Sequence, residues 1–196
     1  MEIKPSQDPI ELFNEWFKLA EETEPGLPEA MSLATVGADG QPSVRMVLLK
    51  GVDNKGFSFY TNMESRKGGE IKNNPKVALC FYWKSQDRQI RVEGEVELLP
   101  APIVDAYFKS RHYLSRIGAW ASEQSKALKS RAALEEKVKE LEVKYKDGDI
   151  PRPPHWSGYR VVPKKIEFWQ QGEARLHDRF LFSKTADGWD LCRLNP

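Results

Sequence analysis

The sequence predicts an α+β fold in which short antiparallel strands form a β-barrel or strongly curled sheet, with a few helices around it. Short strand-type runs recur between turn signals such as Gly37-Ala38-Asp39-Gly40 and Asp53-Asn54-Lys55-Gly56, as hairpins require. Helical periodicity is confined to the N-terminal segment and the middle of the chain. No internal repeat or low-complexity tract is present. At 196 residues the chain is expected to be one domain with a real core.

The elements follow in order. Asp8-Pro9-Ile10-Glu11 is a helix start, with a capping Asp, Pro in the first turn and Glu three residues after the cap. Ile10, Phe13, Phe17 and Ala20 then recur at helical spacing with Trp16 beside them, and Pro25-Gly26 ends the run. Strands are expected at 31–36, 43–50 and 57–61, and a short helix over 65–73 stopped by Asn74-Pro75. A strand pair follows at 76–84 and 89–98. Helices are expected over 101–111 and, as one long segment, over about 122–146, with Leu134, Val138, Leu141 and Tyr145 on one stripe. Asp147-Gly148-Asp149 and Pro151-Arg152-Pro153-Pro154 form a rigid connector. Strands return at 159–162, 165–170, 179–183 and 189–193. The chain thus divides into an N-terminal helical segment (1–28), first barrel strands (29–99), a helical segment (100–157) and C-terminal strands (158–196).

Composition narrows the function. The apolar fraction is 40% with 6 Trp, 9 Phe and 6 Tyr, which is globular rather than disordered. A formal net charge of +1 argues against a broad nucleic-acid or membrane-surface footprint. No apolar run approaches a membrane span, and Met1-Glu2-Ile3-Lys4-Pro5 lacks the apolar core of a signal peptide. Cys80 and Cys192 fit neither a disulfide framework nor a zinc site. A reducing cytoplasm is the expected location, and no metal is expected.

Basic residues matter as local clusters. Arg175, His177 and Arg179 occupy alternate positions, so an extended run places them on one face. Such a face suits an anionic, planar partner, because guanidinium pairs bidentately with phosphate and stacks on rings; a solvated sheet face fits the same pattern. Arg45 and Lys50 lie at odd spacing on one strand, hence on opposite faces, and need not serve one ligand. Ser65-Arg66-Lys67-Gly68-Gly69 opens a helix and offers free N–H groups, a hydroxyl and two cations, which is either a phosphate seat or a capped surface helix. Tyr107, Arg111 and Ser115 share a face if their helix continues. They can jointly hold a phosphate, or serve as an aromatic anchor with a surface Arg. Together these are too many seats for one phosphate. No Ser-His-Asp or Cys-His set can be assembled.

Several of these motifs, in order from about Met31 to Pro196, resemble the FMN-dependent pyridoxine/pyridoxamine 5′-phosphate oxidase family. They are Arg45-Met46-Val47-Leu48-Leu49-Lys50, Tyr60-Thr61-Asn62, Ser65-Arg66-Lys67, Gln89-Ile90-Arg91-Val92-Glu93-Gly94, Gln124-Ser125, Ile166-Glu167-Phe168-Trp169-Gln170, Arg175-Leu176-His177-Asp178-Arg179-Phe180 and Arg193-Leu194-Asn195-Pro196. The resemblance implies a split β-barrel homodimer with FMN at the subunit interface. It implies that Arg45, Met46, Val47, Leu48, Leu49, Lys50, Tyr60, Thr61, Arg66, Lys67, Gln89, Gln124, Ser125, Trp169 and Arg179 contact FMN, with Arg45 near its phosphate. Lys50, Tyr107, Arg111 and Ser115 would hold the substrate phosphate. Arg175 and His177, with Leu176 between them, would lie over the pyridine ring as the catalytic pair. The implied reaction oxidises pyridoxamine or pyridoxine 5′-phosphate to pyridoxal 5′-phosphate. Hydride passes from C4′ to flavin N5, and O2 is the acceptor, giving H2O2. The cofactor carries this chemistry, which accounts for the missing acid–base dyad. A non-catalytic split barrel that binds FMN or pyridoxal phosphate is the alternative; such a protein has no need of Lys50, Tyr107, Arg111, Ser115, Arg175 and His177 together.

Overall fold

The computed structural model describes residues 7–146 and 148–196. The reading of Met1 to Pro5 and the first residue of the Asp147 connector lie outside the described residues. Helix α1 (Pro9–Thr23) starts as its sequence requires: Asp8 Oδ1 accepts from the Ile10 and Glu11 amides at 2.7 and 3.2 Å. Its apolar stripe buries Phe13, Trp16 and Ala20 against the sheet. Phe13 packs edge-on to Phe57 and Phe81, with centroids 4.9 and 5.1 Å apart, the geometry that ring quadrupoles favour.

The strands are β1 (Ala30–Val36), β2 (Pro42–Leu48), β3 (Gly51–Asp53), β4 (Gly56–Asn62), β5 (Lys76–Trp83), β6 (Arg88–Leu98), β7 (Trp156–Gln170), β8 (Asp178–Lys184) and β9 (Trp189–Leu194). The sheet runs β2-β1-β5-β6-β7-β4-β3, with β8 and β9 added beside β7. Every pairing among them is antiparallel. Strand β7 is the pivot. One edge follows β6; the other pairs β4 along 156–161 and β8 along 165–170. One strand serving two sheet branches makes the sheet curl strongly, as expected of a split β-barrel.

Two strands expected at 159–162 and 165–170 are therefore one. Pro163 does not break it, because the register slips between Glu93 and Gly94, leaving Lys164 as the extra residue of a bulge, where a missing N–H costs nothing. Gly94 is required there: a Cβ would stand 2.2 Å from the Val162 carbonyl oxygen.

Helix α2 (Arg66–Asn73) follows β4 as expected. The middle segment differs. Helix α3 (Ala101–Ser110) stops at Arg111, which is extended with ψ 149°. Helix α4 (Tyr113–Ala121) follows, and α5 (Arg131–Lys144) begins only after Ser130, whose Oγ accepts from the Ala133 amide at 3.1 Å. The single helix expected over 122–146 is thus only α5, with 122–130 a loop, because that stretch carries a capping Ser130 and a left-handed Ser125 in place of an apolar stripe. Val138, Leu141 and Tyr145 of the expected stripe do pack, against a second core of Leu99, Val104, Phe108, Ile117, Ile150 and Trp156. No helix among the described residues is long and apolar enough to cross a membrane.

Candidate functional site

A cavity of about 520 Å³ opens between the ends of β2 and β4, the start of α2, the α3–α4 junction and the loop after α4. Met46, Val47, Leu48 and Lys50 enter from the first hairpin, Tyr60, Thr61 and Lys67 from β4 and α2, and Gln124 from the loop. Tyr107, Arg111 and Ser115 line it together. The expectation that one continuous helix aligns these three is corrected, since the chain breaks at Arg111; the break turns α4 so that Ser115 still reaches the same cavity.

Its cationic floor is set by α2. Ser65 caps the helix, accepting from the Gly68 amide at 3.3 Å. Gly68 is needed because a Cβ would meet the Met63 carbonyl oxygen at 2.1 Å. Lys67 is only 8% exposed, and its Nζ donates to Gln124 Oε1 at 2.9 Å and Ser65 Oγ at 3.2 Å. Burial, and then the Arg45 cation, pull its pKa down to about 8. No carboxylate stands within ion-pair distance of it among the described residues. An ammonium buried without a counter-ion is expensive unless an anion comes to it.

The wall is aromatic. Tyr60, Tyr107 and Trp156 lie parallel within 13°, with Tyr60 3.9 Å from Tyr107 and 5.3 Å from Trp156. The Arg111 guanidinium sits 4.9 Å over the Trp156 ring, and its Nη1 is buried without a hydrogen-bond partner. Burial depresses the Arg111 pKa and raises that of the Tyr60 phenol. Lys50, beyond the end of β2, faces Glu29 at 3.5 Å.

Arg45 is not a lining residue. Its Nη groups donate to Leu33 O at 3.1 Å, Glu70 Oε2 at 3.2 Å, Thr35 and Ser43. Arg45 is separated from Lys50, but not by opposite faces of one strand as expected, because β2 ends at Leu48 and Lys50 lies in the link to β3. Leu49 belongs to the core, Arg66 is exposed and paired with Glu70, and Ser125 is exposed with φ 73° beside a neighbouring depression. Burial pushes the Glu70 carboxyl up, but hydrogen bonds from Thr35, Ser43 and Arg66 outweigh it and hold the pKa down at about 2.

The remaining candidates form a second group. Gln89, Trp169 and Arg179 are register neighbours across β6, β7 and β8. Arg179 Nε donates to buried Glu167 at 2.8 Å, and the Trp169 ring lies 4.7 Å from His177. The extended Arg175–Arg179 run is not found. Residues 173–175 form a 3-10 turn in which Ala174 and Arg175 are left-handed (φ 50° and 63°), so of Arg175, His177 and Arg179 only Arg179 is on a strand. Gly172 permits that turn, since a Cβ would lie 2.0 Å from the Leu176 oxygen. Its amide donates to His177 Nδ1 at 3.2 Å, so the neutral ring carries its proton on Nε2. Arg175 and Leu176 are exposed. None of these six residues lines the cavity of its own chain.

Sequence reasoning missed Trp156 and the Thr35–Ser43–Glu70 cluster. Trp156 follows Pro153-Pro154-His155 with no periodicity to mark it. The one legible signal for Glu70 was its i,i+4 spacing from Arg66.

The curled antiparallel sheet with helices at its rim defines a split β-barrel protein, with a cationic, aromatic-walled cavity of the kind that takes small ligands. Residues 19–145 match the family model for pyridoxamine 5′-phosphate oxidase, and residues 156–196 that for the pyridoxine 5′-phosphate oxidase C-terminal dimerisation region. The chain is 56% identical to the pyridoxine/pyridoxamine 5′-phosphate oxidase of Gluconobacter oxydans, over 96% of this chain and 94% of that protein. It is 54% identical to that of Rhodospirillum rubrum over 97% of each. Among solved structures, PhzG from Burkholderia lata, in complex with tetrahydrophenazine-1-carboxylic acid, superposes with TM-score 0.92 at 31% identity, covering 98% of this chain and 95% of its own. The chain belongs to the pyridoxine/pyridoxamine 5′-phosphate oxidase family.

Proposed function

We propose that this chain, as a homodimer, oxidises pyridoxamine 5′-phosphate or pyridoxine 5′-phosphate to pyridoxal 5′-phosphate with FMN as cofactor. The observation that carries the reading is a pair of cations in one cavity with no carboxylate partner among the described residues: Lys67, buried and hydrogen-bonded only to neutral groups, and Arg111, with a buried Nη1 lacking a partner. Two anion seats beside one aromatic wall fit two phosphorylated ring compounds.

Lys67, Arg66 and the capped start of α2 hold the FMN phosphate, with Arg45 adding positive field from behind. Met46 to Leu48, Tyr60, Thr61 and Gln124 flank the rest of the cofactor. FMN held there would supply the two-electron redox chemistry that links oxidation of the substrate to reduction of O2. Lys50, Tyr107, Arg111 and Ser115 grip the substrate phosphate, so binding energy remote from the reacting carbon orients it. Arg175 and His177 are the residues assigned to the pyridine ring, His177 donating from Nε2. Gln89, Trp169, Arg175, His177 and Arg179 lie away from their own chain's cavity, and a second copy brings its set to complete the site. Overall, amine, O2 and water give aldehyde, ammonia and H2O2; the alcohol and O2 give aldehyde and H2O2.

Aerobic turnover of the FMN-loaded protein tests this. Pyridoxal 5′-phosphate and peroxide are expected in equal amounts from pyridoxamine 5′-phosphate. No product from either substrate, with FMN bound, would favour a non-catalytic binder.

A further inference from the structure

Glu70 is a buried charged group of α2 to which the site assignments give no role. It lies on α2 with its side chain 8% exposed. Its two oxygens are divided. Oε2 takes Thr35 Oγ1 at 2.5 Å, Ser43 Oγ at 2.8 Å and Arg45 Nη2 at 3.2 Å, all from β1 and β2. Oε1 takes Arg66 Nε at 2.8 Å. Arg66 is itself 62% exposed, and its Nη groups have no protein partner among the described residues.

An i,i+4 pair on a helix surface ordinarily does little, because both side chains remain free to move. Here one member is clamped by three interior donors, so the other is tethered to the sheet rather than to a mobile carboxylate. The tether uses Nε and leaves the Nη fork available, next in sequence to Lys67 and one residue after the cap of α2. An arginine already held in place loses less conformational freedom when it closes on a phosphate. A buried carboxylate is a costly way merely to join a helix to a sheet. We infer that Glu70 is a positioning residue that aims the Arg66 fork at the cofactor phosphate, with Thr35, Ser43 and Arg45 holding Glu70 in place. The inference rests on the reading of the α2 start as the FMN phosphate seat.

The test is a flavin titration followed by fluorescence quenching, with FMN and riboflavin compared on the cofactor-stripped wild type, Glu70→Gln, Arg66→Ala and the double variant. Riboflavin lacks the phosphate, so it reports damage to the rest of the site. Glu70→Gln is expected to weaken FMN about tenfold while leaving riboflavin unchanged. The double variant should bind FMN no more weakly than Arg66→Ala alone. Equal FMN preference in Glu70→Gln and wild type overturns the inference, as does a double variant in which the two losses add. A wild type that binds riboflavin as tightly as FMN overturns the phosphate seat itself, and the inference with it. Arg66→Lys guards against a Glu70→Gln variant that fails to fold. It leaves the buried cluster intact but cannot offer Nε and a fork together, and it should lose the same preference; full retention of the preference overturns the inference.

Discussion

Lys67 Nζ donates to Gln124 Oε1 across 2.9 Å, joining the start of α2 to the loop after α4 over the cavity floor. The amide oxygen solvates the ammonium but does not neutralise it. Burial, and then the Arg45 cation, pull the folded pKa of Lys67 down to about 8, below an unfolded value of about 10.4.

The sign follows from linkage. Between these two values the folded state binds fewer protons than the unfolded one, so Lys67 costs stability below pH about 8 and the cost is relieved as pH rises. Lys67→Met is expected to raise the melting temperature of the cofactor-free protein at pH 7 and to abolish FMN retention on gel filtration. A variant that melts lower yet keeps FMN would contradict both halves.

The same ammonium makes cofactor capture pH-dependent. FMN binding to the cofactor-free protein should weaken as pH passes about 8, by up to about tenfold per unit. Riboflavin titrated in parallel should show no such slope.

Arg111 lies over Trp156, and a lysine can neither stack its plane on that ring nor pair bidentately with a phosphate. Arg111→Lys should raise KM for pyridoxamine 5′-phosphate by roughly tenfold to a hundredfold, as loss of about 1.5–3 kcal/mol implies. Its kcat should change far less. Steady-state kinetics that show the reverse split would remove Arg111 from the phosphate grip.

Mixing variants tests which chain completes the site. Arg111→Ala and Arg175→Ala are each expected to be nearly inactive, and Arg175→Ala should stay yellow. Unfolded and refolded together at equal amounts, they should recover about a quarter of wild-type activity, because half the dimers are mixed and each has one intact site in a two-fold assembly. No recovery would place Arg175 and Arg111 in one chain's site.

Gly94→Ala would push a Cβ to within 2.2 Å of the Val162 oxygen at the bulge. A loss of about 1–3 kcal/mol in urea unfolding is expected, with the cofactor-binding residues untouched.

Much of the architecture was legible because it depends on local pattern. The Asp8 cap, the Phe13–Trp16 stripe, the hairpin at Gly37–Gly40 and the Ser65 cap are each decided within a few residues. The Arg175–Arg179 run was misread because alternation holds only if the backbone is extended, and the left-handed φ of Ala174 and Arg175 is stabilised by a turn that returns on Gly172. The long helix over 122–146 was misread because charged residues suit a helix face or a loop equally well.

By itself the sequence determined the α+β class, the chain positions of the cationic clusters and, through motifs in consistent order, the family. Only the tertiary structure decided which clusters meet. Curling around β7 gathers Lys50, Lys67, Arg111 and Ser115 into one cavity and leaves Trp169, His177 and Arg179 elsewhere, and it buries Glu70 where it can hold Arg66. Chain order carries no record of such encounters: they depend on how three strands share one neighbour, and that is settled by packing the whole core at once.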